Sequence, residues 1–270
     1  MSFTHHVLSS GDGHIAADLL RCGSDTAVLC ATDLLTHRNW HERYPRLAAR
    51  LAREGVSSLM FDFRGCGASS DTAVAPRSLA EDWLAVVAFV RDQGFVRLIP
   101  WGHGMLAPTC LDVQDSCIVA RVMSAGTTGP IVYDWERAFG AAAMERLSAE
   151  GQVDVPSYDP TVRCSVRVTG GLLGSLAMVD QALVCGRLSQ PLLCIHGDTP
   201  FDGLEPPRLA RNREALARLP VGSHIHVIPG ATLSFAGHID ELIEFATRWI
   251  TEQLATHSTA TAAPRLPHDH

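Results

Sequence analysis

The chain has 270 residues, of which 46% are hydrophobic, and its formal net charge is −7. This length and composition allow one large α/β domain with a full core, or two small domains. We expect a cytoplasmic protein with no nucleic-acid or membrane partner, because the charge is negative, the N-terminus has no signal peptide and no apolar run approaches the roughly 20 residues of a transmembrane helix.

Strand-like and helix-like segments alternate along the chain, which predicts βαβ units and a mostly parallel sheet. In chain order, strands are expected at 4–9, 14–21, 26–32, 56–63, 95–101, 117–124, 191–196 and 224–229. Helices are expected at 39–54, with Asn39 as a possible N-cap, at 79–94, at 105–113, from about 207, and at 239–254.

Residues 126–190 break this alternation with two amphipathic helical stretches that flank a proline-containing piece. An insertion after the sixth strand would lie over the carboxyl ends of the strands, where open α/β sheets bind ligands. We therefore predict a core of 1–125 and 191–255, a helical lid of 126–190, and a disordered polar tail of 256–270.

Cysteine and histidine are frequent but show no metal-binding pattern. The eight cysteines form no C-x-x-C pair, which favours free thiols in a reducing compartment. The thirteen histidines include no H-E-x-x-H or similar ligand spacing. We expect no metal and no cofactor.

The run FDFRGCGASS at 61–70 contains D-x-R-G-x-G-x-S. With this run, the chain resembles the α/β-hydrolase superfamily over roughly residues 3–254. The resemblance implies an α/β-hydrolase fold, in which an eight-stranded, mostly parallel sheet carries a helical lid after strand 6. Three shorter segments are also similar to hydrolase-like proteins associated with exosortase systems: THRNW, the WG of the turn near 102, and VTGGLL.

The resemblance implies a Ser-His-Asp triad, yet the chain departs from it at each position. The nucleophile position of G-x-S-x-G is Gly104, and the histidine position after the last strand is Leu233. The acid position is Pro200, or Asp202 if two residues are inserted. Glycine supplies no nucleophile and leucine takes no proton, so this sequence excludes the standard acyl-enzyme route. In its expected fold and its missing triad, the chain resembles an epimerase of bottromycin biosynthesis.

The oxyanion hole implied by the fold needs only backbone amides. One belongs to Met105, and the other to Asp33 or Leu34. Such a hole would polarise a ligand carbonyl and favour an enolate. Asp33 is the first candidate for a base and Asp202 the second. A loop-stabilising or capping role explains Asp33 about equally well.

Other reactive side chains are better explained structurally. We expect a surface position for His37, a strand end for His196, a helix-cap region for His238 and a turn for Cys66. His103 precedes the nucleophile position, where it would pack beneath the turn.

The side chains expected around a ligand pocket are mostly large and apolar, although core or lid packing would explain each of them. They are Leu34, Leu35, Trp40, His103, Met105, Trp135, Phe139, Leu233 and Phe235. Such a wall suits a bulky, uncharged small molecule or a modified peptide.

Three functions follow as hypotheses. The first is a triad-less isomerase, epimerase or cyclase that uses the retained oxyanion hole on a natural-product intermediate, for instance in antibiotic biosynthesis. The second is a non-catalytic ligand-binding pseudohydrolase. The third is a hydrolase with a non-standard nucleophile. The sequence leaves monomer and homodimer open.

Overall fold

The computed structural model describes residues 2–200 and 205–262, of which eight strands form one sheet. The ten strands are β1 Thr4–Ser10, β2 Gly13–Leu20, β3 Thr26–Ala31, β4 Ser57–Phe61, β5 Arg97–His103, β6 Arg121–Ser124, β7 Gln152–Pro156, β8 Ser165–Thr169, β9 Leu192–Gly197 and β10 His224–Ile228. The large sheet has the order β1-β2-β4-β3-β5-β6-β9-β10. β2 runs antiparallel to both its neighbours, and all other pairs are parallel. This is the eight-stranded, mostly parallel sheet of the predicted α/β-hydrolase fold.

Helices cover both faces of the sheet, because the central strands are buried on both sides. The helices are α1 Arg43–Arg53, α2 Pro76–Asp92, α3 Thr109–Asp112, α4 Trp135–Phe139, α5 Ala141–Glu150, α6 Gly170–Ala177, α7 Gln181–Arg187, α8 Pro207–Ala215 and α9 Ile239–Ala262. One core cluster includes Leu47 of α1 and Leu242 of α9, and the other includes Val86 of α2 and Leu172 of α6. The second cluster joins the insertion to the sheet.

The insertion contains a β-hairpin that the helical-lid prediction missed. β7 and β8 pair antiparallel between α5 and α6. Val153 and Val155 are buried while their neighbours are exposed, which is a strand period of two. The hairpin packs on the loop after β4, where the Val74 amide donates to the Arg167 carbonyl at 2.7 Å. The insertion therefore contains both helices and strands, and its hairpin is hydrogen-bonded to the core.

The start of α1 and the end of α9 are among the predicted boundaries that differ from the structure. Asn39 makes no side-chain capping bond, and α1 begins only at Arg43, because His41 and Glu42 adopt left-handed backbone angles of φ 54° and 53°. α9 continues to Ala262, beyond the predicted start of the tail at residue 256. The rest of the predicted tail lies outside the described residues.

Candidate functional site

The turn after β5 has the strand–turn–helix geometry expected of a nucleophile elbow. β5 ends at His103, Gly104 follows with φ +68°, and a short 3₁₀ turn spans Gly104–Leu106. A left-handed φ of this size favours glycine, since other residues place Cβ against their own backbone. The elbow is thus built without a side chain at its apex.

The carboxylate of Asp33 lies against this elbow. Its Oδ1 accepts hydrogen bonds from the amides of Leu34 at 2.8 Å, Met105 at 2.8 Å and Leu106 at 3.2 Å. The first two are the amides predicted to form the oxyanion hole. In the structure these amides donate to an oxygen of this chain rather than to a ligand. These bonds are the ones expected if Asp33 caps the elbow, which is the alternative role predicted for it.

Asp33 also explains why residue 104 is glycine. A Cβ added to Gly104 would lie 1.9 Å from Asp33 Oδ2 and 2.3 Å from Asp33 Cγ. Both distances are far below van der Waals contact, so a serine at this position would displace the carboxylate. Asp33 and Gly104 are a matched pair, in which the carboxylate occupies the space where a nucleophilic side chain would begin.

Burial and neighbouring charges act on Asp33 in opposite directions. Burial raises the pKa of its carboxyl above the ordinary aspartate value, whereas the three amides and the charge of Arg208 oppose that rise. Among the described residues, Oδ2 accepts no hydrogen bond. One oxygen is therefore fixed by three amides, and the other is left without a hydrogen-bond donor from these residues.

His103 packs inside the protein, as its position before the elbow suggested. The side chain is buried, and its Nδ1 lies 3.0 Å from Ser124 Oγ. Ser124 Oγ also accepts from the Trp101 indole at 2.9 Å. Burial, helped by the charges of Arg43 and Arg208, holds the pKa of His103 well below its usual range, so the imidazole stays neutral.

Among the described residues, Leu233 and Pro200 are those predicted to stand at the other triad positions. Leu233 is 45% exposed, and a leucine side chain cannot take a proton. Pro200 is exposed after β9, and Asp202 lies outside the described residues. Phe235 is fully buried in the core cluster that contains α9, which corrects its assignment to the pocket.

The remaining pocket predictions divide into two groups. Leu34 and Leu35 are buried in the core cluster. Four residues are partly exposed near the insertion or the elbow: Trp40, Met105, Trp135 and Phe139. Trp135 stacks on Phe139 at 5.6 Å and on Tyr133 at 4.4 Å between ring centroids. The ligand-binding role of these four residues stays a prediction.

Sequence analysis missed Tyr133 and Arg208. The Arg208 guanidinium carbon lies 5.6 Å from the Tyr133 ring centroid, and its Nη1 donates to the Ala125 carbonyl at 2.6 Å. The charges of Arg208 and Asp33 both act on the Tyr133 phenol. No motif marks either residue, because one lies in the insertion and the other on α8, and only the fold brings them to the elbow.

The other reactive side chains, which the sequence explained by structural roles, contact groups away from the elbow apex or are buried. Cys66 is buried with its Sγ 3.2 Å from the Leu34 carbonyl, and burial raises the pKa of its thiol, so it is no thiolate nucleophile. His196 Nε2 lies 2.6 Å from the Asn212 amide nitrogen, and burial lowers its pKa to about 3. His37 and His238 are partly exposed and contact Asp159 and the Ala236 carbonyl, respectively.

The D-x-R-G-x-G-x-S motif fixes the loop that carries Asp33. Asp62 accepts from the amide of Arg38 and from its guanidinium, each at 2.6 Å. The Arg38 Nε donates to Asp18 at 2.5 Å. These buried ion pairs hold residues 32–39 against the sheet, and so they position Asp33.

Residues 2–200 and 205–262 contain no group of three or more His, Cys, Asp or Glu side chains arranged to hold a metal ion. No helix within them is long and apolar enough to cross a membrane.

The chain matches no protein-family model and no curated protein sequence. Solved structures are similar in fold. The monoglyceride lipase of Saccharomyces cerevisiae, as a soluble variant with a substrate analog, has a TM-score of 0.72 at 13% identity over 94% of this chain and 96% of that one. DcsB in complex with its substrate analogue has a TM-score of 0.71 at 14% identity over 93% and 100%. The alpha/beta hydrolase GrgF from Penicillium sp. sh18 has a TM-score of 0.67 at 12% identity over 94% and 100%. These matches confirm the α/β-hydrolase fold.

Proposed function

We propose that this chain is an α/β-hydrolase-fold enzyme that moves a proton on the carbon next to a carbonyl group, as an isomerase, epimerase or cyclase, with Asp33 as the base. The observation that carries the proposal is the Asp33 carboxylate, held by three amides in the space beside Gly104. A base held in one orientation by backbone amides loses little conformational freedom on reaction.

The chemistry needs no co-reactant. Asp33 Oδ2 takes the proton, the C–H electron pair forms a carbon–carbon double bond, and the carbonyl oxygen receives the negative charge. Delivery of a proton from water to the opposite face, with release of the Asp33 proton to solvent, gives an epimer. Return of the Asp33 proton to another carbon gives an isomer. Attack by the enolate on an electrophilic double bond or carbonyl in the same molecule gives a cycle, and the resulting anion takes the proton from Asp33. The raised pKa of Asp33 makes it a stronger base than an exposed aspartate.

Hydrolysis fits the site less well. An acyl group transferred to Asp33 would need a second base to activate water, as the triad histidine does. Leu233 holds the histidine position, and His103 is turned to Ser124. Proton transfer, in contrast, requires only the Asp33 carboxylate, which lies against the elbow.

The substrate side of the proposal rests on the partly exposed apolar side chains. Trp40, Met105, Trp135 and Phe139 favour a bulky, largely apolar or peptide-like ligand, such as a natural-product intermediate. A non-catalytic ligand-binding protein is the second candidate. It is favoured by the capping bonds of Asp33, which stabilise the elbow whether or not any reaction occurs.

Hydrogen exchange in D₂O tests the proposal. The probes are phenylacetyl N-acetylcysteamine thioester and a series of N-acyl dipeptide amides, followed by mass spectrometry. We expect deuterium at the α-carbon with the wild type and only buffer-level exchange with Asp33→Asn. Asp198→Asn is the matched control, because Asp198 is exposed and also accepts a backbone amide, that of Gly230 at 2.6 Å. Binding of the probes without exchange by the wild type would contradict the proposal and favour the binding protein.

A further inference from the structure

Removing a proton next to a carbonyl leaves negative charge on the carbonyl oxygen, and that charge needs donors. In most enzymes of this kind, amides or acidic side chains provide them. Here the amides of Leu34, Met105 and Leu106 already bind Asp33. Donors for the ligand oxygen must therefore come from other groups near Asp33.

Tyr133 and Arg208 pack together at the end of β6, where Ser124 pairs with His103 at the start of the elbow. Arg208 is anchored through Nη1 to the Ala125 carbonyl at the end of β6. Tyr133 is fixed by stacking on Trp135, and its ring packs on the core cluster beneath the insertion. The two side chains come from separate elements, and each is only partly exposed.

The Arg208 guanidinium lies over the Tyr133 ring, with its carbon 5.6 Å from the ring centroid. A guanidinium has donors but no acceptor, so the Tyr133 hydroxyl cannot donate its hydrogen to Arg208. The phenol hydrogen has no acceptor among the described residues. Burial raises the pKa of Tyr133, which keeps the phenol protonated at neutral pH. A phenol polarised by a cation is a strong donor to an anionic oxygen.

We propose that Tyr133 and Arg208 form an oxyanion site that binds the enolate-type oxygen of the ligand while Asp33 handles the proton. The inference rests on the proposed function and adds a ligand class: carbonyl compounds that ionise to an enolate, or their phenolate-like analogues. Tyr133 donates its hydrogen bond to the oxygen, and Arg208 balances the charge. No bond to the protein forms or breaks.

The test uses para-nitrophenolate, a stable analogue of an enolate whose absorbance reports ionisation. Binding is measured by titration with the wild-type protein and with Tyr133→Phe and Arg208→Gln. Loss of one hydrogen bond to a charged group weakens affinity about tenfold or more, and we expect that loss in each variant. Asp33→Asn removes a like charge and should bind the phenolate more tightly. The matched control is Arg213→Gln, which lies at an exposed position and should change affinity less than about twofold.

Two results would overturn the inference: no binding by the wild type, or equal affinity for the wild type and Tyr133→Phe. Circular dichroism and thermal unfolding of each variant separate loss of binding from loss of fold. Because phenolate binding requires no turnover, this test and the exchange test fail independently. Tyr133-dependent binding without exchange contradicts only the proposed function, and exchange without such binding contradicts only the oxyanion site.

Discussion

Replacing Gly104 by alanine should destabilise the protein mainly through Asp33. The new Cβ would lie 1.9 Å from Asp33 Oδ2, so the carboxylate must leave the amides of Met105 and Leu106. Two hydrogen bonds to a charged acceptor are worth about 3 kcal/mol at the low end. The left-handed backbone, φ +68°, adds about 1 kcal/mol of strain. We expect a total cost of about 4 kcal/mol.

A double-mutant cycle isolates the part that depends on Asp33. In an Asp33→Ala background, Gly104→Ala should cost only the backbone strain, about 1 kcal/mol, which gives a coupling of about 3 kcal/mol. Gly55→Ala is the matched control, because Gly55 has φ +75° with open space around its missing Cβ. The assay is urea unfolding, at one pH, of the wild type, the two single variants and the double variant. The comparison requires that the unfolding free energy depend equally steeply on urea concentration in all four proteins. Equal costs of Gly104→Ala in both backgrounds would refute the pairing of Asp33 with Gly104.

Three further predictions concern pH and packing. Because folding raises the pKa of Asp33, its stabilising contribution is present below the unfolded pKa and lost as pH rises through the folded pKa. In thermal unfolding, the melting temperature of Asp33→Asn relative to that of the wild type should therefore rise between acidic and neutral pH. A difference in melting temperature that does not change with pH would contradict this. Arg163→Ala removes bonds to the Gly67 and Ser69 carbonyls and should speed amide exchange in the hairpin at 152–169, whereas Arg167→Ala should not. Arg38→Ala removes the guanidinium that pairs with two buried carboxylates, Asp18 and Asp62, and should cost about 3 kcal/mol in urea unfolding; a cost below about 1 kcal/mol would contradict the role of this network.

The fold could be predicted because its signals are local. Alternating apolar segments located the eight strands of the sheet, and D-x-R-G-x-G-x-S marked the loop in which Asp62 binds Arg38. The elbow was predictable because Gly104 follows a buried strand and opens a short helical turn. The β-hairpin at 152–169 was missed because its strands are short and its proline-containing connection resembles a loop.

The site could be predicted only in part. The sequence placed Asp33 and the Met105 amide in the same region, since both follow central strands. It could not show that one binds the other, because that contact depends on the missing Cβ of Gly104. Tyr133 and Arg208 are far apart in the chain, and the pair exists only because α8 packs beside the insertion. Their spacing carries no pattern from which a site could be inferred.

Chemical rescue tests the central claim, that the Asp33 carboxylate is the reactive group of this elbow. Asp33→Ala removes the carboxylate and leaves the amides of Leu34, Met105 and Leu106 facing the space beside Gly104. We predict that this variant loses α-proton exchange in D₂O, that added formate restores it in proportion to its concentration, and that neutral formamide does not. Adding Gly104→Ala, which fills the same space, should abolish the rescue. Exchange that survives in Asp33→Ala, or that formate does not restore, would contradict the claim.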